Sequence, residues 1–174
     1  MLWMTPSASA TLISEAPPWL MKGSGMPVTG MTPMTMPTLT TSWKRSHAAT
    51  PLAKIVSWAS TGTNPRDTGL GPILSIPKAL DRAGLTIGDV NLAEINEAFA
   101  SVPVAACREL GLSEDITNVS GSGCSLGHPV ACTGARMIIT TMYELRRRGG
   151  GIGLASMCAG GGMGSTTVFE VYPG

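Results

Sequence analysis

The chain has 174 residues, which is long enough for one domain with a hydrophobic core. Its formal net charge of +1 gives no support to a nucleic acid or an acidic membrane surface as a partner. No run of 18 apolar residues occurs, so we expect no transmembrane helix. The four cysteines have no C-x-x-C spacing, so we expect a cytoplasmic protein with reduced thiols, no zinc site and no disulfides.

Residues 1–50 differ in composition from the rest of the chain. They contain seven of the eleven methionines, six of the thirteen prolines, nine threonines and a single acid, Glu15. The prolines and the lack of any helical or strand period predict a disordered leader. A secretory signal is not indicated, because no basic segment precedes a clean apolar run. We therefore divide the chain into an atypical leader over 1–50, which a frame error or a gene truncation would explain, and a domain over 51–174.

The first predicted elements of this domain are a strand, a helix, a short strand and a second helix. PLAKIVSWAS, residues 51–60, contains alternating and β-branched residues and predicts a strand. GPILSIPKALDRAGL predicts a helix that ends at Gly84. The apolar face of this helix consists of Ile73, Ile76, Ala79, Leu80 and Ala83. TIGDVNLAEINEAF then predicts a short strand between turns, and residues 98–110 predict another helix.

The remaining predicted elements end in two adjacent strands. TNVS, residues 117–120, predicts a short strand, and GARMIITTMYELRRRG, residues 134–149, predicts the most regular helix. The apolar stripe of this helix consists of Ala135, Ile138, Ile139, Met142 and Leu145. GIGLASMCA, GGGMG and STTVFEVY predict a buried strand, a turn and a final strand. This order predicts an α/β fold with a layered mixed sheet, flanking helices and a C-terminal β-hairpin.

Two polar motifs lie at the ends of predicted strands, where the functional sites of α/β sheets collect. In INEAFA, Asn96 and Glu97 come directly after apolar residues; the alternative role of Asn96 is to cap a helix that begins near Ala98. In SLGHPV, His128 lies between a glycine, which permits close approach, and a proline, which stiffens the turn. Histidine is suited to proton transfer near pH 7, although a loop histidine with a purely structural role has the same pattern.

A third motif, MCAGGGMG over 157–164, places Cys158 at the end of an apolar strand and before three glycines. Such a run of glycines lets backbone N–H groups converge on an oxygen and form an oxyanion hole. A neighbouring helix end or histidine would lower the pKa of the Cys158 thiol. The alternative is a tight hairpin that contains a buried cysteine.

Taken together, the three motifs resemble the C-terminal half of the thiolase family. The similarity extends from about Pro51 to Val171 and includes PLAKIVSWA, GLGPILSIPKAL, INEAFA, GHPVACTGAR, ELRRRGG and MCAGGG. Thiolases interconvert a 3-ketoacyl-CoA plus CoA with two acyl-CoAs. The resemblance therefore implies an acyltransferase that takes coenzyme A and acyl-CoA as substrates, without a cofactor or a metal. Thiolases are dimers or tetramers, so it also implies a homo-oligomer.

The resemblance also implies a role for each motif. His128 matches the histidine that activates the nucleophilic cysteine and helps to bind the thioester oxygen. Asn96 matches the asparagine that completes this oxyanion hole through a water molecule. Cys158 matches the second acid/base, and the backbone N–H of Gly160 would line a second oxyanion hole. The implied substrate-binding positions are Gly127 and Gly161.

The nucleophilic cysteine of the family belongs to its N-terminal half, and residues 1–50 contain no cysteine. We therefore expect acyl transfer only when an N-terminal half is supplied by association. One alternative is a non-catalytic remnant or interaction module that pairs with a thiolase-like partner. Another is an enzyme in which Cys124 or Cys132 forms a catalytic dyad with His128. Cys132 stands where the family commonly has glycine or alanine, and we expect it to pack at a helix start.

Overall fold

The computed structural model describes residues 51–173, so the predicted disordered leader over 1–50 lies outside the described residues. The described part contains four strands and four α-helices, joined by short 3-10 turns. The strands are β1 (Ala53–Gly62), β2 (Leu92–Ile95), β3 (Gly151–Ala159) and β4 (Met163–Val171). The helices are α1 (Gly71–Ala83), α2 (Ser101–Leu110), α3 (Gly123–Leu126) and α4 (Thr133–Arg147).

The four strands form one mixed sheet in the order β1-β4-β3-β2. β1 and β3 each pair antiparallel with β4, whereas β2 pairs parallel with β3. β3 and β4 form the predicted C-terminal hairpin. In the sheet, Thr166 of β4 lies between Ala59 of β1 and Ser156 of β3. The prediction of a layered α/β fold with a mixed sheet and a final hairpin is confirmed.

The sheet has a hydrophobic cluster on each face. The first cluster contains residues of α1 and α2, such as Ile76 and Ala106, packed on Leu154 and Val168 of the sheet. The second contains residues of α4 packed on the opposite face. The side chains of β2 alternate between the two faces of the sheet, and all four residues of this strand are buried.

The buried face of α4 differs from the predicted apolar stripe. Met137, Thr141 and Leu145 are buried, whereas Ala135 and Ile139 are exposed. The two faces share Ile138, Met142 and Leu145 and differ by a small rotation of the helix, so periodicity alone could not choose between them. For α1 the prediction is confirmed, because Ile76, Ala79 and Leu80 are buried and Gly84 ends the helix in the left-handed conformation.

The predicted strand at residues 117–120 is wrong, because only a single parallel bridge joins Thr117 to Ala93. The next residue, Asn118, has a left-handed backbone with φ of 52°, which ends the pairing. Its side-chain amide continues the pairing instead: Oδ1 accepts from the Ile95 N–H at 2.7 Å and Nδ2 donates to the Ile95 carbonyl at 2.9 Å. One asparagine side chain therefore occupies the place of a neighbouring strand.

A chain of three buried hydroxyls connects α1 to the hairpin. Thr166 Oγ1 lies 2.7 Å from Ser75 Oγ and 2.8 Å from Ser156 Oγ, and all three residues are almost completely inaccessible to solvent. Each hydroxyl can donate one hydrogen bond and accept others, so the chain satisfies groups that would otherwise be costly to bury.

We expect Thr166→Val to lower the free energy of unfolding by about 1–3 kcal/mol, because it leaves both serine hydroxyls without their central partner. Urea denaturation of the whole chain measures this change. The matched control is Thr167→Val, which removes a half-buried hydroxyl on the other face of β4 and keeps a β-branched side chain. Equal stability losses in the two variants would contradict the prediction.

Candidate active site

Asn96 and His128 lie in contact at the carboxyl end of β2. Asn96 is fully buried directly after the strand, and its backbone N–H donates to the Ser156 carbonyl of β3 at 2.9 Å. Its side-chain Nδ2 lies 3.3 Å from His128 Nε2 and 3.5 Å from Nδ1. The alternative of a helix cap is wrong, because α2 begins at Ser101 with Ala100 as its N-cap residue. The structure therefore brings two of the predicted site residues together.

The glycines before His128 allow its loop to pass close to the backbone after β2. A Cβ atom on Gly123 would lie only 2.5 Å from the Glu97 carbonyl oxygen, so this position has no room for a side chain. Gly121 and Gly127 have φ values of 82° and 91°, which favour glycine. Contrary to expectation, His128 follows the short helix α3 and not a strand. Close packing within the chain and positive φ values therefore account for these three glycines.

Glu97 holds this loop through both carboxylate oxygens. Oε2 accepts from the Cys124 backbone N–H in the first turn of α3 at 3.0 Å. Oε1 accepts from Asn118 Nδ2 at 3.2 Å. The carboxylate therefore links the start of α3 to Asn118, the asparagine that pairs with β2. These two hydrogen bonds fix the position of α3 and so of His128, which follows that helix.

Thr133 is a site residue that sequence analysis missed. It is fully buried at the first position of α4, and its Oγ1 lies 2.7 Å from His128 Nδ1. The available signal was a hydroxyl residue five positions after the histidine at a predicted helix start, which on its own also fits a helix-capping role. Both ring nitrogens of His128 therefore lie within hydrogen-bond range of a buried polar side chain.

A buried ion pair lies next to this site and joins α4 to β2. Arg136 hydrogen bonds to Glu94, which is 2% exposed in the centre of β2. Burial raises the pKa of the Glu94 carboxyl, while the hydrogen bond from Arg136 acts in the opposite direction. Arg136 Nη2 also reaches Ser122 Oγ at 3.5 Å, at the start of the histidine loop. An acid within the apolar sequence LAEI was the sequence signal for a paired buried charge.

Cys158 lies near the end of β3, at the same end of the sheet as the other two predicted residues. Its side chain packs against the first cluster, on the α1 side. Within residues 51–173 it makes no hydrogen bond to Asn96 or His128. Burial raises the pKa of this thiol above its usual value, so the lowering that a neighbouring helix end or histidine would cause is not found. At neutral pH Cys158 is therefore a thiol that can donate a proton.

The three glycines after β3 form the hairpin turn. Gly161 and Gly162 have φ values of 90° and 83°, which the turn requires and which side chains disfavour. The Gly162 N–H donates to Thr68 Oγ1 at 3.1 Å, so it is occupied. Within the described part of the chain, the N–H of Gly160 makes no backbone hydrogen bond in the turn. The same holds for the N–H of Gly161, so these two N–H groups of the turn are open to another group.

The other candidate nucleophiles, Cys124 and Cys132, have exposed side chains. Cys132 lies directly before α4, at the helix start as expected. Its side chain is solvent-exposed, so the expectation that it is packed there is wrong. Cys124 is also exposed, and its Sγ lies 3.7 Å from the Glu97 carbonyl. In the described region neither thiol hydrogen bonds to His128, whose ring nitrogens contact Asn96 and Thr133.

We expect three of the four cysteines, Cys124, Cys132 and Cys158, to react with iodoacetamide in a defined order at pH 7. Cys124 and Cys132 are exposed and should be alkylated first, while Cys158 should react several-fold more slowly because its raised pKa leaves less thiolate. Labelling of Cys158 should still be increasing when the pH passes the usual thiol value of 9.0. Timed peptide mass spectrometry gives each rate, with urea-unfolded chain as the control. Fastest labelling at Cys158 would contradict this order.

Two further properties concern ions and membranes. Among residues 51–173, no group of three or more His, Cys, Asp or Glu side chains is arranged to hold a metal ion. No helix in the same part of the chain is long and apolar enough to cross a membrane.

Comparison with known proteins identifies the family. The family described as "Thiolase, C-terminal domain" matches residues 49–171. An acetyl-CoA acetyltransferase of Syntrophomonas wolfei is 48% identical over 122 residues, which are 69% of this chain and 31% of that protein. The mouse protein named "Acetyl-CoA acetyltransferase, cytosolic" is 47% identical over 114 residues, which are 66% of this chain and 29% of that protein.

Solved structures show the same relationship. The crystal structure of human mitochondrial 3-ketoacyl-CoA thiolase matches with a TM-score of 0.70 and 41% sequence identity, over 75% of this chain and 33% of that one. The chain thus spans about a third of the length of the relatives that it matches. Since the family match extends over residues 49–171 and includes the Asn96 and His128 motifs, the chain belongs to the thiolase family and contains its C-terminal domain.

Proposed function

We propose that this chain supplies the base and part of the oxyanion-binding groups for thiolase-type acyl transfer between acyl-CoA molecules. The observation that carries the proposal is the contact of buried Asn96 with His128, at 3.3 Å from Nδ2 to Nε2, at the carboxyl end of β2. Relatives named acetyl-CoA acetyltransferase and 3-ketoacyl-CoA thiolase indicate the class of substrate. The reaction is the thiolysis of a 3-ketoacyl-CoA by CoA or the reverse condensation.

The proposed chemistry assigns one proton to each of two residues. His128 takes the proton of a nucleophilic thiol at its ring, and the resulting N–H then donates to the thioester oxygen on which charge develops. The Asn96 amide stabilises the same oxygen through a water molecule. As the carbon–carbon bond breaks, Cys158 gives its thiol proton to the α-carbon of the leaving acyl-CoA, and the raised pKa supports this acid role.

The proposed substrate contacts come from the glycine positions. The N–H of Gly160 would bind the second thioester oxygen, since it makes no backbone hydrogen bond in the turn among residues 51–173. Exposed Gly127 and Gly161 would allow the thioester and the pantetheine arm of CoA to approach. A location in the cytoplasm completes the proposal, in line with the relative that is named cytosolic.

We propose that the thiolase C-terminal domain over 51–174 associates with a separate N-terminal thiolase half that carries the nucleophilic cysteine. Support comes from α4, whose outward side has two large apolar residues one turn apart, Ile139 and Tyr143, at 51% and 58% exposure. An apolar surface of this kind favours association with a partner. The same observation supports the second candidate function, a non-catalytic module that pairs with a thiolase-like protein.

Reconstitution tests both candidates. The chain is mixed with the segment of the Syntrophomonas wolfei relative that it does not cover, and thiolysis of acetoacetyl-CoA is followed through loss of enolate absorbance. We expect CoA-dependent turnover in the mixture and none with either part alone. Association without turnover would support the non-catalytic module and end the enzyme proposal.

Activity of the chain alone would instead support a cysteine–histidine dyad. In that case Cys124→Ser and Cys132→Ser are compared, since both side chains are exposed and neither change should disturb the core. Loss of turnover in one of them would identify the nucleophile, and the association proposal would then be wrong.

A further inference from the structure

The first turn of α4 contains a buried hydroxyl that faces the candidate base. Thr133 is fully buried, and its Oγ1 lies 2.7 Å from His128 Nδ1, which is within the range of a good hydrogen bond. Within the described part of the chain this is the only hydrogen bond of the Thr133 side chain. A buried hydroxyl with a single partner, held at the start of a 15-residue helix, is well suited to fix the orientation of that partner.

The asparagine on the other side of the ring contributes to the choice of the nitrogen that carries the proton. Asn96 Nδ2 is a donor only, and it lies closer to Nε2, at 3.3 Å, than to Nδ1, at 3.5 Å. A donor that faces Nε2 favours a lone pair there, because a second N–H at that position would oppose it. With a lone pair on Nε2, the neutral ring would have its proton on Nδ1, where the Thr133 hydroxyl would accept it.

We propose that Thr133 is a positioning residue for His128, which holds the ring proton on Nδ1 and leaves Nε2 as the basic nitrogen. This inference rests on the proposed role of His128 as the base. When Nε2 takes the proton of a thiol, the Nδ1–H bond to Thr133 is unchanged, so the ring does not have to turn. The new Nε2–H is then directed toward the reacting thioester.

The proposal is tested by the tautomer of His128, which does not depend on turnover. The whole chain is labelled with 15N-histidine, and long-range 1H–15N correlation distinguishes protonated from unprotonated ring nitrogens at a pH well above the usual histidine range. The chain has only two histidines, so His47→Gln assigns the signals. In the wild-type chain we expect the proton of neutral His128 on Nδ1.

Two substitutions and a matched control separate positioning from general disturbance. Thr133→Val removes the acceptor and keeps the shape, so we expect the share of molecules with the proton on Nε2 to rise even though Asn96 remains, whereas Thr133→Ser should keep it on Nδ1. Thr141→Val makes the same change at a buried position of the same helix, about 12 Å along its axis, and should leave the tautomer unchanged.

A wild-type chain with its His128 proton on Nε2 would overturn the proposal, and so would a Thr133→Val variant with an unchanged tautomer. Failure of the proposed function has a different signature. It would appear as absent turnover in the reconstituted mixture, even where the Nδ1–H tautomer and its dependence on Thr133 are observed.

Discussion

Replacement of Gly164 by alanine is expected to lower the free energy of unfolding by about 3 kcal/mol or more, near the upper end for overpacked cores. A Cβ atom at this position would lie 2.2 Å from the carbonyl oxygen of Gly71 and 2.4 Å from its carbonyl carbon. Both obstacles are backbone atoms at the start of α1, so no side chain can rotate to make room. Relief requires α1 to move away from β4, which would also break the Ser75–Thr166 hydrogen bond.

The control for this variant lies in the same hairpin. Gly160 has no heavy atom within 4 Å of the position where a Cβ would be built, and its φ is not in the left-handed range. Gly160→Ala should therefore unfold at nearly the wild-type urea concentration, while Gly164→Ala should unfold at a much lower one. A domain has about 5–15 kcal/mol of stability, so the loss is readily measured. Coincident unfolding curves would show that α1 and β4 separate without cost.

Much of the fold could be predicted because its signals are local. The strand at the start of the domain, α1 with its terminal Gly84 and the hairpin over Gly151–Val171 each follow from periodicity and from glycine and proline positions. The face of α4 could not be predicted, because two overlapping stripes share Leu145 and only the packing on the sheet distinguishes them.

The wrong strand prediction over 117–120 and the missed site residue Thr133 both have non-local causes. The side chain of Asn118 replaces a strand at the edge of β2, and no pattern in TNVS distinguishes this from a real strand. The contact of Thr133 with His128 depends on the path of the loop between them, which is set by the close approach of Gly123 to Glu97. Such contacts join residues whose proximity follows from the tertiary structure and not from their local sequence.

The position of Cys158 could have been derived from strand alternation. Side chains of β3 alternate between faces, so Cys158 shares its face with Leu154 and Ser156, on the side of α1. Its neighbour Met157 packs on the α4 side, where Thr133 and His128 also lie. Asn96 and His128 therefore form the part of the candidate site that this chain assembles by direct contact, whereas Cys158 lies on the other face at the same end of the sheet.

The largest expected effect on activity is that of His128→Ala in the reconstituted complex. Loss of a positioned general base typically costs about 10²–10⁴-fold, and we expect a fall in kcat/KM of this size. The alanine variant keeps Asn96 and Thr133 but removes the group between them that transfers the proton. Thiolysis of acetoacetyl-CoA is measured at saturating partner segment, so that weaker association cannot imitate lost chemistry.

His47→Ala is the matched control, because it removes the other histidine of the chain, which lies before the residues that match the family. Its activity should equal that of the wild type. Asn96→Ala should lose about 10²–10³-fold if the amide stabilises the developing negative charge. Because Asn96 and His128 act on the same oxygen, the double variant should lose less than the product of the two single losses. Fully multiplicative losses would mean that the two side chains act independently, and their 3.3 Å contact would then have no catalytic meaning.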